Sequence, residues 1–115
     1  MISINPIFIW SIATLVFIFV DVLSGIVKAL KKRELNSTKM RAGIYNKVAF
    51  VLILMLGIAC DIVFRYIDLG FSLPILELLC GYIITTEISS IIENVHEINP
   101  NIVTDKIYRF FERKE

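Results

Sequence analysis

Four carboxylates interrupt stretches of sequence that are otherwise apolar: Asp21, Asp61, Glu77 and Glu87. A charged side chain at hydrocarbon depth costs roughly 2.5 to 3.5 kcal/mol on insertion scales unless it is paired or turned toward protein or water, so such residues mark functional or assembly surfaces by default. Two of them have local explanations. Arg65 follows Asp61 at the i,i+4 spacing that favours an intrahelical pair, and Glu77 lies close enough to the end of its segment to reach water. Asp21 lies deeper and shares a stripe at helical spacing with Ser24, Gly25 and Lys28, so another helix is its more natural partner. Glu87 has no partner on its own helix. Around it, Gly81, Thr85 and Ser89 run along one side of the segment, and Thr86, Ser90 and Glu93 along a neighbouring one, with Asn94 following. Small and hydroxyl residues let helices approach closely and hydrogen-bond across their contact in lipid.

No catalytic set accompanies these groups. His96 is the sole histidine and stands among Glu93, Asn94 and Glu97 near a helix end, with no second histidine or cysteine positioned to share a metal or a proton. A glycine-rich phosphate loop, a nucleophile motif and an HExxH pattern are all absent from the sequence. Cys60 and Cys80 lie inside apolar segments, match no metal spacing and read as small packing residues. The expectation is a protein that is not an enzyme and takes no cofactor and no metal.

The elements that carry these residues are long apolar helices. Residues 7–27, 48–64 and 71–92 are each close to or above the roughly 20 residues that a helix needs to cross about 30 Å of hydrocarbon. The chain of 115 residues is 57% hydrophobic, above the roughly 45–50% of a soluble domain, and a soluble core could not absorb the excess. The first stretch has no basic n-region and no small-x-small cleavage site, so it is expected to remain as a membrane helix rather than serve as a removable signal. Asn5 and Pro6 suit its start, and it is expected to continue past the membrane surface to about Arg33; Ser37 or Thr38, after a turn that includes Asn36, suits the start of the second helix, whose first turns, Lys39 to Lys47, are cationic and expected in the headgroup region. Ser72 with Pro74 reads as the cap and first turn of the third, and Asn99 with Pro100 as its end.

A net charge of +1 conceals a strong asymmetry. Between the first two spans lie Lys28, Lys31, Lys32, Arg33, Lys39, Arg41 and Lys47 against the single acid Glu34, whereas residues 65–77 hold one base among more acids. Short basic loops stay in the cytoplasm, which places the N-terminus outside and the C-terminus inside. Basic residues bounded by two spans meet anionic lipid headgroups rather than nucleic acid. Beyond Pro100 the pattern becomes amphipathic: Val103, Ile107, Phe110 and Phe111 share one face, and Lys106, Arg109 and Arg113 another, as in a helix lying on a surface. The expected architecture is an all-α membrane protein in one domain. Its transmembrane helices cover about 6–28, 47–67 and 72–94, with a basic cytoplasmic loop at about 29–46 and an amphipathic C-terminal helix at about 101–114. Three helices alone cannot easily hide the polar faces, so the expected state is homo-oligomeric, with Asp21, Ser24, Gly25, Asp61, Gly81, Thr85, Glu87, Ser89, Ser90, Glu93 and Asn94 at subunit contacts or a wet lumen.

Read as text, the same positions resemble the phage lysis and toxin-secretion holins of Gram-positive bacteria. The resemblance rests on Asp21-x-x-Ser24-Gly25-Ile26-x-Lys28-Ala29, Ser37-x-x-x-Arg41-x-Gly43-x-x-x-Lys47, Asp61, and Glu87-x-Ser89-Ser90-Ile91-Ile92-Glu93-Asn94, and covers about residues 21–100. It departs where the family often has a glycine-containing turn and this chain has His96-Glu97-Ile98-Asn99-Pro100. The resemblance implies a protein of the bacterial cytoplasmic membrane that self-associates into lesions through which a cell-wall hydrolase (an endolysin) or a toxin passes. Its partners would be further copies of itself and anionic lipids. Two other classes fit the same residues: a small oligomeric ion or proton channel with Asp21, Asp61 and Glu87 as a relay, and a membrane anchor or scaffold whose tail recruits a partner.

Overall fold

A computed structural model describes residues 5–35, 37–103 and 105–111. They form four helices and no strand: α1 (Pro6–Lys32), α2 (Thr38–Tyr66), α3 (Ile75–Ile98) and α4 (Asp105–Phe111). The helix starts follow local chemistry. The Asn5 side chain accepts from the Ile7 N–H at 2.8 Å with Pro6 in the first turn, and the Ser37 hydroxyl accepts from the Met40 N–H at 3.1 Å. α1 stops at Arg33, whose left-handed φ of 58° lets the Glu34 N–H reach back to the Ala29 carbonyl. In the second connection the Asp68 carboxylate accepts from the Gly70 N–H at 2.9 Å, and Gly70 supplies the φ of 82° that this turn needs.

Three helices are long and apolar enough to cross a membrane. The long dimension of the molecule, 52 Å, exceeds the roughly 40–45 Å of a bilayer with its headgroup layers. Most large apolar side chains of α1 and α2 face outward, among them Phe19, Leu23, Leu52 and Leu56. Such a surface is stable in contact with lipid tails and not in water.

α3 is the central element, packing most extensively against α1 and next against α2. Along the α1–α3 seam, Thr14, Asp21 and Lys28 recur at heptad spacing, and so do Cys80, Glu87 and Asn94. Since Lys28 meets Asn94 and Lys32 meets Glu97, α1 and α3 run parallel. α2 runs against both, with Lys47 beside Glu87 and Gly57 beside Leu76. The half containing Gly57 is held by an apolar cluster of Leu54, Leu76 and Cys80, against which Ile7, Trp10 and Ile58 pack. There a Cβ on Gly57 would lie 3.2 Å from Leu76 Cδ1 and 3.4 Å from Leu76 Cα, so glycine permits the close approach of α2 to α3.

α1 ends at Lys32 and α2 begins at Thr38, close to the expected Arg33 and Ser37 or Thr38, so both run past their apolar spans into the basic connection, which shrinks to a few residues around Glu34 to Ser37. The other helices differ from the expected ones at their ends. α3 starts at Ile75 with Pro74 at its cap position and no side-chain cap, so Ser72 does not play that part. The tail helix begins only at Asp105, because Asn99 ends α3 and its side chain accepts from the Asn101 N–H at 3.0 Å, holding a turn. The expected roles of Asn36 in the first turn and of Arg113 on the tail lie outside the described residues.

Candidate functional site

Lys47 projects from the third turn of α2 into the space between α1 and α3. Its ammonium donates to both oxygens of Glu87, at 2.8 and 2.7 Å, and forms an ion pair with Asp21 Oδ2. The Asp21 residue is 4% exposed and Glu87 is fully buried. One cation therefore serves two carboxylates, one from each neighbouring helix, and ties all three membrane-spanning helices at a single point. The Phe50 ring, 5.5 Å from the ammonium, adds an aromatic face on the same helix.

The remaining valences of the cluster are filled from the α1–α3 seam. Asn94 Nδ2 donates to Asp21 Oδ1 at 3.2 Å and to Ser24 Oγ at 2.9 Å, and the Ser24 hydroxyl donates to the Asp21 carbonyl at 2.9 Å. Lys28 Nζ reaches Asn94 Oδ1 at 3.5 Å. Gly25 belongs to this wall, where an added Cβ would come no closer than 3.7 Å to Asn94 Nδ2. Buried polar groups survive in a low-dielectric setting only when partnered in this way, and a network satisfied throughout holds one arrangement of the helices.

Toward the end of the bundle where α1 and α3 finish, a second polar layer closes the seam. Lys32 pairs with Glu97 at 2.5 Å, and Lys31 Nζ donates to the carbonyls of Glu97 and Ile98 at 3.2 and 2.6 Å, capping the C-terminus of α3. His96 stacks on Tyr108 of α4 with ring centroids 4.2 Å apart, and its Nδ1 lies 3.0 Å from the Val103 carbonyl. The tail thus folds back on the end of α3.

The polar residues singled out in the sequence separate into four groups. Asp21, Ser24, Gly25, Glu87 and Asn94 come together around Lys47. Asp61 does not join them: it pairs with Arg65 at 2.5 Å on its own helix, about 21 Å along α2 from Lys47 at roughly 1.5 Å per residue. Gly81, Thr85 and Ser89 lie along another side of α3. Thr85 is exposed, its hydroxyl donates to the Gly81 carbonyl at 2.8 Å, and a Cβ on Gly81 would meet nothing within 4 Å. Ser90 and Glu93 are half-buried. Of the basic residues, Arg33, Lys39 and Arg41 remain exposed in or near the connection, Lys28, Lys31 and Lys32 turn to the end of α3, and Lys47 sits inside the bundle. In the sequence, Lys47 reads as a headgroup-layer residue, and its place inside the bundle departs from that expectation. The signal that could have found it is the pair of unpartnered carboxylates at similar depth on two other helices.

No group of three or more metal-ligating side chains is present among the described residues. What the arrangement offers is adhesion between helices and a polar seam within a membrane.

Comparison with known proteins gives a match to a bacteriophage holin family over residues 4–113. A Clostridium perfringens protein described as an uncharacterized 14.9 kDa protein in the nagH 3' region is 35% identical over 83 residues. That similarity takes in 72% of this chain and 60% of the relative's own length. No solved structure matches.

Proposed function

The chain belongs to the bacteriophage holin family, and from that premise we propose that it self-associates in the bacterial cytoplasmic membrane into lesions that release a cell-wall hydrolase or a toxin. Holin-like membership and three membrane-spanning helices make it a multi-pass protein of that membrane. The observation that carries self-association is the position of Gly81 and Thr85: within a span, on a side of α3 that no other helix of the monomer covers at Gly81. Close approach of a second copy at this strip, continued by Ser89, would bury small and hydroxyl groups in the way that helices associate in lipid.

In this reading the cluster around Lys47 keeps the monomer intact in the bilayer and the strip on α3 supplies the contact between copies. The N-terminus lies outside and the tail inside, on the strength of the basic connection, whose exposed cations rest against anionic headgroups. Permeation needs no chemical step, which agrees with a family and fold that point to a non-enzymatic protein. A relay through Asp21, Asp61 and Glu87 has less support, because the Asp61–Arg65 pair stands far along α2 from the other two carboxylates.

The test is release from liposomes loaded with both a small dye and a large fluorescent dextran. Release of both, slowed by Thr85→Leu at matched protein density, is the expected result. Release of the dye or of ions alone would replace lesion formation by channel activity. No release with intact folding would leave an anchoring role.

A further inference from the structure

On the side of the α1–α3 seam that α2 does not line, a groove of about 260 Å³ runs between Val16, Phe17 and Val20 of α1 and Ile88, Ile91 and Ile92 of α3. All six residues are apolar. From Val20 the same stripe of α1 continues through Ser24 and Val27 to Lys31, in steps of four and three residues that keep one face of a helix. Val16, Val20 and Val27 are exposed, while Ser24 between them is half-buried against Asn94, so the stripe is open at its valines. Lys31 stands at its end. Its ammonium rests on the Glu97 and Ile98 carbonyls, which carry only the partial negative charge of a helix C-terminus, whereas the neighbouring Lys32 is engaged by the Glu97 carboxylate. The stripe therefore ends in a cation whose charge these contacts do not cancel.

The dimensions match one leaflet. Val20 and Lys31 are about 16 Å apart along α1 at roughly 1.5 Å per residue, close to half of the roughly 30 Å hydrocarbon core. The apolar lining suits a hydrocarbon chain, and the cation at the end of the stripe calls for an anionic headgroup, which a second apolar helix does not bring. We propose that this groove binds one anionic phospholipid from the leaflet facing the α1–α2 connection, with an acyl chain between α1 and α3 and its phosphate at Lys31. The proposal deepens the anionic-lipid contact stated above by giving it a defined seat. It depends on the chain spanning the membrane and not on lesion formation.

Full-length protein in mixed micelles, doped with phosphatidylglycerol or phosphatidylcholine and examined by native mass spectrometry, tests the proposal. One phosphatidylglycerol is expected to stay bound per monomer in preference to phosphatidylcholine. Lys31→Gln should weaken its retention about fivefold, the effect of losing one interfacial cation, and Ile92→Trp, which fills the groove, should lower it as well. Leu52→Trp, on the outward face of α2 away from the groove, should leave it unchanged, and inorganic phosphate should not displace the lipid. Helical circular dichroism of each variant separates lost binding from lost folding, and Lys31→Gln alone decides the matter if Ile92→Trp misfolds. Equal retention by the parent and by Lys31→Gln would overturn the seat while leaving a diffuse preference for anionic lipid standing. No preference for phosphatidylglycerol over phosphatidylcholine would overturn the anionic-lipid reading itself. Displacement by inorganic phosphate, or a lipid-free dimer abolished by Ile92→Trp, would assign the groove to another occupant and refute the proposal.

Discussion

Replacing Lys47 with methionine should be the most damaging single change in the membrane part of this protein. The substitution keeps the length and flexibility of the side chain but removes the charge that joins α2 to Asp21 of α1 and Glu87 of α3. Removing one partner of a buried ion pair costs about 3–5 kcal/mol, because the remaining charge is left uncompensated. Here two carboxylates lose their shared cation, so the upper part of that range is expected. By contrast, Asp21→Asn or Glu87→Gln leaves Lys47 with one carboxylate, a one-to-one pair, and should cost less. Removing all three charges together, by Asp21→Asn, Lys47→Met and Glu87→Gln, should recover much of the loss, since a neutral replacement of a whole buried cluster is often close to neutral in stability. The assay is reversible unfolding in mixed micelles, followed by helical circular dichroism or by an energy-transfer pair on α2 and α3. A Lys47→Met variant within about 1 kcal/mol of the parent, or one no worse than the single carboxylate variants, would refute the view that this ammonium holds the helices together.

Other expectations follow from the same geometry. Gly57→Ala should destabilise the bundle by about 1–3 kcal/mol, because its Cβ would press on Leu76 side chain and backbone; Gly81→Ala should leave the monomer's unfolding midpoint unchanged. With the native cysteines removed, single cysteines at Ser3 and Ser72 should react with an impermeant thiol reagent added outside the cell and a cysteine at Ser37 should not; the reverse pattern would invert the topology. Phe110→Ser with Phe111→Ser should weaken membrane contact of the tail and shift the timing of lysis, whereas loss of all oligomers on truncation after Pro100 would make the tail an assembly element instead.

The three spans and their order are legible in the sequence because each depends on information carried within one segment: a long apolar run, an Asn5–Pro6 or Ser37 start, an Asn99–Pro100 stop. The pairing of Asp61 with Arg65 is legible for the same reason, being set by one turn of helix. The partner of Asp21 and Glu87 is not. Lys47 closes a run of basic residues, and a lysine at the edge of such a run reads as a headgroup contact. The Ser37 start already puts Lys47 about 13 Å along α2 at roughly 1.5 Å per residue; what the sequence does not carry is the packing of α2 against α1 and α3 that turns its ammonium to Asp21 and Glu87. The start of α3 is not legible at Ser72, because a serine two residues before a proline mimics a cap, whereas no side chain caps that end.

Under the proposed lesion-forming function, Asp21 and Glu87 can influence permeabilisation by two routes, and the structure makes them separable. If they act through the monomer, neutralising either one loosens the three-helix bundle and shifts the onset of permeabilisation in proportion to the lost stability, while contacts between copies keep the same pattern. If they act at contacts between copies, the pattern of cross-linked oligomers changes even where monomer stability does not. The burial of both residues around Lys47 favours the first route. The expected outcome for Asp21→Asn and Glu87→Gln, at matched membrane levels, is therefore an unchanged ladder of cross-linked species together with altered timing of the collapse in membrane potential. The same variants should insert normally, because an amide at this depth costs less than a carboxylate. A changed ladder at unchanged unfolding midpoint would move these carboxylates from the interior of the monomer to the surface between subunits, and the Gly81–Thr85 strip would lose its claim to be the sole contact.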